Sequence, residues 1–264
     1  MSDILYPLPA GITQTLKPGG GFISSLAFNP SDLSGLAAWW DASDSDNVVL
    51  NGSNVSEWLD TSGNGRDLTQ AVTGSQPEYD AVQINGLSTI TFDGIDEFLQ
   101  RNAFLINLVT YSLFYIIKAP AQVGPTIIGE SRSNTATLDT FFQIKENIGA
   151  PTDGLRLFFR NDDNVIQTNA DGTISLYDDN VHIGGHTDTG GTYRQYVDGA
   201  GDIVQSYTRT GPFFSDIFCV GAVFFNSSPV AFLDGDIGEI VIYDRVLNDA
   251  EREQVTIYLT NKWK

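Results

Sequence analysis

Short apolar or alternating segments recur along the chain from Leu33 onward, and clusters of glycine, asparagine, aspartate and serine separate them. This regular spacing is typical of an antiparallel β-sandwich or barrel. The Asp198-Gly199 step favours a tight hairpin turn. The predicted strands are Leu36–Asp41, Ile90–Phe92, Phe98–Gln100, Tyr111–Lys118, Thr126–Glu130, Phe141–Lys145, Leu155–Arg160, Val181–His186, Tyr193–Val197, Ile203–Tyr207, Ile217–Phe225 and Asp236–Tyr243. The pattern therefore predicts an all-β, antiparallel domain.

The C-terminal segment has a helical pattern instead. Asn248 is a favourable N-cap, and Glu251 three residues later completes a capping box. Apolar residues then recur at i, i+3, i+4 and i+8, at Val255, Tyr258, Leu259 and Trp263. One apolar stripe on a helix predicts that the helix lies against the sandwich and has a structural role.

Residues 1–32 differ in composition from the rest of the chain. They contain four prolines and the run Gly19-Gly20-Gly21, which disfavour helix and central strand. Too few apolar residues are present for a separate core. We therefore predict an extended N-terminal arm over residues 1–32 that docks on another chain, followed by one domain over residues 33–264. The predicted anchors of the arm are Ile4, Leu5, Tyr6 and Phe22.

Composition and charge narrow the classes of partner. The 264 residues include 14 Lys and Arg against 33 Asp and Glu, a net charge of −19. Such a surface repels phosphate backbones and anionic lipid, so we expect neither nucleic acid nor a membrane as partner. The N-terminus lacks the basic region and apolar core of a signal peptide, which predicts a soluble protein made in the cytoplasm of its producer. The single cysteine, Cys219, lies in an apolar run and predicts a buried thiol.

Six segments in a fixed order resemble a known family. They are Leu36–Ser43, with its Trp39-Trp40-Asp41, then Val55–Gly65, Thr91–Gly94, Tyr196–Gly199, Gly235–Arg245 and Leu247–Trp263. Over about residues 33–264 the chain resembles the laminin-G-like, concanavalin A-like lectin domains found in phage virion proteins and bacterial surface proteins. The resemblance implies an antiparallel jelly-roll β-sandwich. It implies little about activity, because this fold hosts lectins, glycosidases, lyases and scaffolds.

The carboxylates do not have the spacing of a glycosidase. Concanavalin A-like glucanases carry Glu-x-Asp-x-Glu on one strand, which places three carboxylates on one face. Here Asp234 and Asp236 are followed on that face by Gly238, and Glu239 points to the other face. The Asp93–Glu97 segment does not fit either. Nucleophile elbows and phosphate-binding loops are also missing from the sequence. We therefore predict that the protein is not an enzyme and needs no cofactor.

Metal binding has two candidates in the sequence. The histidines, His182 and His186, would share a strand face, but Gly184-Gly185 between them suggests a bulge or a turn, and ordinary polar strand residues are the favoured interpretation. The family resemblance implies a structural Ca²⁺ at the Asp-x-Ser-Gly-Asn-Gly loop, where the matching residues are Asp60 and Asn64. Turn formation is the alternative explanation of this loop.

Aromatic residues offer candidates for sugar binding. Lectins of this fold present aromatic side chains on loops or on a concave sheet, and the candidates here are Tyr177, Tyr193 and Tyr207. Packing in the core is the alternative, since aromatic residues of a sandwich are usually buried. The four tryptophans are assigned to the core or to helix packing; they are Trp39, Trp40, Trp58 and Trp263.

Three functions follow from this set of observations. The first is a non-catalytic structural protein on the virion surface of a bacteriophage, a capsid decoration protein that docks through its arm on other virion subunits, with a homotrimer as one arrangement. The second is a carbohydrate-binding, lectin-like module of a tail fibre or bacterial adhesin that contacts a cell-surface glycan. The third is a polysaccharide hydrolase.

Overall fold

The fold is an antiparallel β-sandwich with one C-terminal helix. A computed structural model describes residues 12–16, 22–26, 28–105, 107–122, 124–132, 141–146, 154–161, 165–210 and 214–264. The strands are β1 (Ile12–Leu16), β2 (Phe22–Leu26), β3 (Leu36–Asp41), β4 (Val48–Asn51), β5 (Asn54–Trp58), β6 (Leu68–Thr69), β7 (Glu78–Ile84), β8 (Leu87–Asp93), β9 (Leu99–Asn102), β10 (Tyr111–Lys118), β11 (Thr126–Ser131), β12 (Phe141–Glu146), β13 (Leu155–Arg160), β14 (Ile166–Asp171), β15 (Val181–Asp188), β16 (Thr192–Val197), β17 (Ala200–Ser206), β18 (Ile217–Val220), β19 (Val223–Phe225), β20 (Ser228–Val230) and β21 (Asp234–Tyr243). The helix is α1 (Asp249–Trp263), and single 3₁₀ turns occur at Pro30–Asp32, Ser45–Asn47 and Thr73–Ser75. The predicted all-β class is confirmed.

The strands form two layers that enclose the main core. One layer has the order β4-β5-β6-β9-β18-β11-β12-β13-β14. The other has the order β3-β21-β10-β15-β16-β17, and β8 pairs with the first half of β21 and carries β7 beside it. Trp58, Phe218 and Leu157 of the first layer and Trp40 and Tyr115 of the second meet in one buried cluster.

Strand β10 is buried on both faces because the helix covers the second layer from outside. Leu113 and Tyr115 point into the sandwich core, whereas Phe114 and Ile116 belong to a second cluster with the helix. The helix contributes its predicted stripe to that cluster, at Val255, Leu259 and Trp263. A strand that is buried on both faces has apolar residues at nearly every position. This is why Tyr111–Lys118 shows no alternation of apolar and polar residues. Among the described residues, no helix combines the length and apolar character that a membrane span requires.

Strand β15 runs straight through its two glycines, so the predicted bulge at Gly184-Gly185 is wrong. Gly184 pairs with Tyr115 and Gly185 with Phe114 without a shift of register. A Cβ atom on Gly184 would lie 2.1 Å from Cζ of Tyr115. The glycine therefore makes room for the tyrosine ring that lies across it.

Gly238 does mark a bulge in β21. The register between β10 and β21 shifts between Tyr115 and Ile117, opposite this glycine. A Cβ atom on Gly238 would approach Cζ3 of Trp263 to 2.7 Å. Because Gly238 has no side chain, the last turn of the helix packs directly on the strand at this bulge.

A single buried carboxylate joins the helix to the sheet. Oε1 of Glu239 accepts hydrogen bonds from Trp39 Nε1 at 2.7 Å and from the Tyr258 hydroxyl at 2.9 Å. Oε2 accepts from Trp263 Nε1 at 2.7 Å and from Lys262 Nζ at 2.8 Å. We call these five residues the Glu239 cluster. Because Glu239 is fully buried, all of its partners are needed to offset the loss of hydration of its charge.

Several strands were not predicted from the sequence. They are β1, β2, β4, β5, β6, β7, β14 and β20, and the predicted strand Ile217–Phe225 is divided into β18 and β19. The division falls at Gly221, which has a φ of +86° and packs against the ring of Phe92. The missed β4 and β7 are mostly exposed or half-buried, so they lack the apolar alternation that identifies a strand.

The N-terminal segment contains an antiparallel pair of strands, β1 and β2, which the arm prediction did not include. Three of the predicted anchors, Ile4, Leu5 and Tyr6, lie outside the described residues. Phe22 begins β2, and its side chain is outside what the structure describes. Docking of residues 1–32 on another chain therefore stays a prediction.

We expect replacement of Glu239 by alanine to destabilise the fold by about 2–4 kcal/mol, because it leaves two indole N–H groups without their acceptor and removes one of the two carboxylates paired with the Lys262 ammonium, the other being Asp41. Denaturant unfolding measures this loss. The matched control is Glu253→Ala on the exposed face of the helix, which should stay within about 0.5 kcal/mol of the original chain. A Glu239→Ala protein as stable as the control would show that the cluster does not hold the helix.

Candidate functional site

A small pocket opens between the two layers at one end of the sandwich. Its lining residues come from both layers and from the loops beside them; they are Leu105, Leu108, Tyr111, Leu157, Phe159, Asp188 and Arg209. We call this set the end pocket. Tyr111 begins β10 and Asp188 ends β15, and the two are direct partners in the sheet. The cleft has room for about one water molecule, and most of its wall is apolar.

Asp188 provides the carboxylate of the end pocket. Oδ1 accepts a hydrogen bond from the backbone N–H of Gly190 at 2.8 Å, and Oδ2 accepts one from the Tyr207 hydroxyl at 2.7 Å. Gly190 has a φ of +79° and packs on Val109, which closes the turn after the strand. Burial raises the pKa of Asp188, and the charge of Arg209 opposes that rise.

Arg209 and Tyr207 flank the ring of Phe159. The guanidinium carbon of Arg209 lies 5.4 Å from the ring centroid, within the range of a cation–π contact. Tyr207 meets the same ring edge-on, with centroids 6.3 Å apart. Burial and the charge of Asp188 raise the pKa of Tyr207, so its hydroxyl stays a hydrogen-bond donor. The end pocket thus combines aromatic faces with a guanidinium, a hydroxyl and a carboxylate.

None of the three tyrosines predicted to bind sugar lines the end pocket, but the side chain of Tyr207 contacts Asp188 and Phe159, which do. Tyr193 is fully buried one strand away, where its hydroxyl bonds His186 and donates to Gln195 Oε1 at 3.0 Å. Tyr177 is buried in the main core. The core packing considered as the alternative therefore describes Tyr177 and Tyr193. Trp40, Trp58 and Trp263 are fully buried as well, in agreement with their assignment.

His186 lies in the core between two tyrosine rings. Tyr115 and Tyr193 stack on it with centroids 5.5 Å and 5.7 Å away, and their hydroxyls bond its two ring nitrogens. Burial lowers the pKa of His186 to about 3, so the ring is neutral. The residue acts as a polar member of the core.

His182 lies at the other end of the same strand. Its Nδ1 lies 2.9 Å from Oδ2 of Asp198, and its Nε2 lies 3.0 Å from Oδ1 of Asp178. The hydrogen bond with Asp198 is the main reason that the pKa of His182 is raised. Asp198 also pairs with Lys264 after the helix. These contacts describe an ion-pair group, as the interpretation of polar strand residues implies.

The loop predicted to hold calcium is bonded to its own backbone. Both carboxylate oxygens of Asp60 accept hydrogen bonds, from the N–H groups of Trp39, Ser62 and Arg66 at 2.9 Å each and from the Ser62 hydroxyl at 2.8 Å. Asn64 donates to two carbonyls of β3 at 3.0 Å. These hydrogen bonds are the ones expected from turn formation, the alternative explanation of this loop. In the described part of the chain, no three potential metal ligands come together. The calcium site stays a prediction.

Glu97, one of the carboxylates considered for hydrolysis, has a strongly raised pKa. Burial, with the nearby charge of Asp93 second, raises its pKa to about 7. Its Oε2 accepts a hydrogen bond from the backbone N–H of Asp93 at 2.9 Å. Asp236 is bonded to Thr91 at 2.6 Å, and Glu239 is enclosed by the helix. Glu239 thus belongs to the contact between helix and sheet, and its carboxylate shares Lys262 with Asp41.

We expect Glu97→Gln to raise the melting temperature at pH 8 and to leave it unchanged near pH 4. The folded chain binds the Glu97 proton more tightly than the unfolded chain, so this stabilisation is present at low pH and is lost as pH rises from about 4.5 to about 7. Glutamine is neutral at every pH, so above pH 7 the variant should be about 1–3 kcal/mol more stable than the original chain. Thermal melts across this range measure the difference. Parallel curves for Glu97→Gln and the original chain would contradict the raised pKa.

The comparisons with known proteins rest on structure. No protein-family model matches this chain, and no curated protein matches it. The binding domain of paraclostridial mosquitocidal protein 1 superposes with a TM-score of 0.58 at 13% identity, covering 86% of this chain and 52% of that chain. The botulinum neurotoxin serotype D binding domain gives a TM-score of 0.58 at 12% identity, with 86% and 51% covered. This chain therefore spans about half the length of either.

A shorter neighbour matches over nearly its whole length. The CBM40 domain of Ruminococcus gnavus IT-sialidase, solved with bound α2,3-sialyllactose, gives a TM-score of 0.50 at 14% identity, covering 64% of this chain and 95% of that chain. At these identities the likeness concerns the fold alone. The chain shares the β-sandwich architecture of these neighbours, compatible with the jelly-roll resemblance in its sequence.

Proposed function

We propose that this chain is a carbohydrate-binding, lectin-like module and that its ligand binds at the mouth of the end pocket, where Tyr207 and Arg209 are half-buried. The observation that carries the proposal is the placement of Arg209, Tyr207 and Asp188 around the ring of Phe159. The fold shared with a CBM40 domain solved with a bound glycan supports it.

The chemistry of the end pocket suits a sugar ring. A pyranose has C–H groups on its faces that pack on an aromatic ring and hydroxyls at its rim that both donate and accept. Guanidinium and carboxylate groups form strong, oriented hydrogen bonds with such hydroxyls. The position between two layers holds these groups in place.

We infer binding rather than hydrolysis. Glycoside hydrolysis generally uses two carboxyl groups about 5–5.5 Å or about 6.5–9.5 Å apart across the bond that is cleaved. Asp188 is the single carboxylate among the residues that line the end pocket in the described structure. A bound glycan would therefore meet one acidic group there, which orients a hydroxyl.

The capsid decoration role depends on the N-terminal arm, whose anchors lie outside the described residues or have undescribed side chains. The virion surface location and the homotrimer therefore stay predictions. The sandwich itself supports contact with a cell-surface glycan, whichever larger particle or protein carries it.

A glycan array with the purified chain tests the proposed function. We expect binding to a subset of glycans and a loss of about tenfold or more in affinity for Arg209→Ala, because a hydrogen bond to a charged group is worth about 1.5–3 kcal/mol. Tyr207→Phe removes one hydroxyl and should weaken binding less.

The matched control is Arg194→Ala, on the exposed outer face of β16. It should bind as the original chain does, and calorimetric titration of the strongest array hit measures all three variants. Unchanged affinity in Arg209→Ala, or no binding to any glycan, would contradict the proposal.

A further inference from the structure

The outer face of β13 gathers cations in a chain that is mostly acidic. The residues on the inner face of this strand belong to the main core. Successive side chains of a strand point to opposite faces, so Arg156, Phe158 and Arg160 lie on the outer face, where all three are half-buried. Lys145 of β12 is the direct partner of Arg156 and is half-buried on the same face. We call these four residues the β13 patch.

One carboxylate compensates part of the charge of the β13 patch. Asp171 of β14 accepts two hydrogen bonds from Arg156, and the one from Nη2 measures 2.9 Å. In the part of the chain that the structure describes, neither Lys145 nor Arg160 forms an ion pair. Three cations therefore stand beside one anion, on a chain whose net charge is −19.

The electrostatics of Lys145 agree with a local excess of positive charge. Burial is the main cause that lowers the pKa of Lys145, and the charge of Arg156 lowers it further. Asp171 opposes both effects without cancelling them. An anionic group placed between the two cations would relieve their repulsion.

Arg160 is held in position by the ring beside it. Its guanidinium carbon lies 4.9 Å from the ring centroid of Phe158, a cation–π distance. Its Nε is buried and has no hydrogen-bond partner in the described structure. A guanidinium that is already oriented loses little side-chain freedom when a ligand binds. Arg160 is therefore a preorganised donor whose hydrogen bonds are incompletely satisfied.

The strand geometry sets the spacing of these charges. Arg156 and Arg160 are four residues apart on one strand, which separates their Cα atoms by about 13 Å. Lys145 lies across the ladder from Arg156, at about 5 Å between Cα atoms. The positive charge is therefore divided between two points along β13. A ligand that pairs with both points needs anionic groups that are well separated along its length.

We propose that the β13 patch binds an acidic polysaccharide that carries a carboxylate on every second sugar and lies along β13. One carboxylate pairs with Lys145 beside Arg156, and the next pairs with Arg160. A guanidinium matches a carboxylate through two parallel hydrogen bonds, which adds direction to the charge attraction. This surface is on the opposite face of β13 from the end pocket, so it goes beyond the proposed function and does not depend on it.

Other polymers fit the β13 patch less well. Nucleic acids and heavily sulfated glycans carry more anionic groups over the same length than three cations compensate. The excess negative charge is repelled by a chain of net charge −19. A neutral glycan leaves the cations without a partner. A sparse row of carboxylates matches both the number and the spacing of the cations.

Hyaluronan oligosaccharides test the inference, because they carry a carboxylate on alternate sugars. The probes are the octasaccharide and its methyl ester, which has the same sugars without the negative charges, and calorimetric titration of the full chain measures both. At low salt we expect the acid to bind at least tenfold more tightly than the ester, since each carboxylate gains charge-assisted hydrogen bonds. Added salt should reduce the difference by screening.

Two variants locate the binding on the β13 patch. Arg160→Gln and Lys145→Gln each remove one charge, and we expect each to weaken binding of the acid by about tenfold and to leave binding of the ester unchanged. The control is Arg194→Gln on the exposed face of β16, which removes the same charge elsewhere and should bind as the original chain does. The comparison of acid and ester needs no variant, so it decides the question if a variant does not fold.

The outcomes separate this inference from the proposed function. Equal affinity for acid and ester overturns the inference, and so does a preference that persists in folded Arg160→Gln and Lys145→Gln. Tighter binding of heparin or of single-stranded DNA than of hyaluronan overturns the choice of ligand. Binding of the acid that is lost in Arg209→Ala would move the ligand to the end pocket, which overturns the β13 patch and leaves the proposed function standing.

Discussion

The buried carboxylate of Glu239 is the constraint on which the rest of the fold depends. Burial and the charge of Asp41 raise its pKa, and Lys262 counters both by an ion pair at 2.8 Å. A buried charge persists when its hydrogen bonds offset the lost hydration, and four donors from β3 and the helix do so here. The carboxylate therefore fixes the helix on β21. The helix in turn buries the outer face of β10 and β15.

The end pocket lies at the end of that same ladder of strands. Tyr111 and Asp188 are paired across β10 and β15, so the aromatic wall and the carboxylate keep a fixed separation. Phe159 comes from the opposite layer, and Arg209 from the segment after β17. Sites built on strands are held more rigidly than sites built on loops. Three of the lining residues, Leu105, Leu108 and Arg209, lie outside the strands.

The interior strands and the helix could be predicted from the sequence because their burial requires apolar residues at regular positions. Leu36–Asp41, Tyr111–Lys118 and Leu155–Arg160 have the predicted bounds. Strand β7 was missed because its residues face solvent on much of both sides. Its existence depends on pairing with β8, which local composition does not encode. The same limit explains why a bulge was predicted at Gly184. The ring that this glycine accommodates belongs to Tyr115, which is distant along the chain and becomes a neighbour only through strand pairing.

The end pocket could not be found from the sequence, since its residues are scattered from Leu105 to Arg209 and meet only through strand pairing. Tyr193 and Tyr207 look alike in sequence, yet one is buried and the other borders the pocket. A crystal structure of the protein with a glycan chosen from its array hits tests the central claim most directly. The account predicts sugar density at the mouth of the end pocket, with hydrogen bonds to Arg209. Sugar bound on another face, with the end pocket empty, would contradict it.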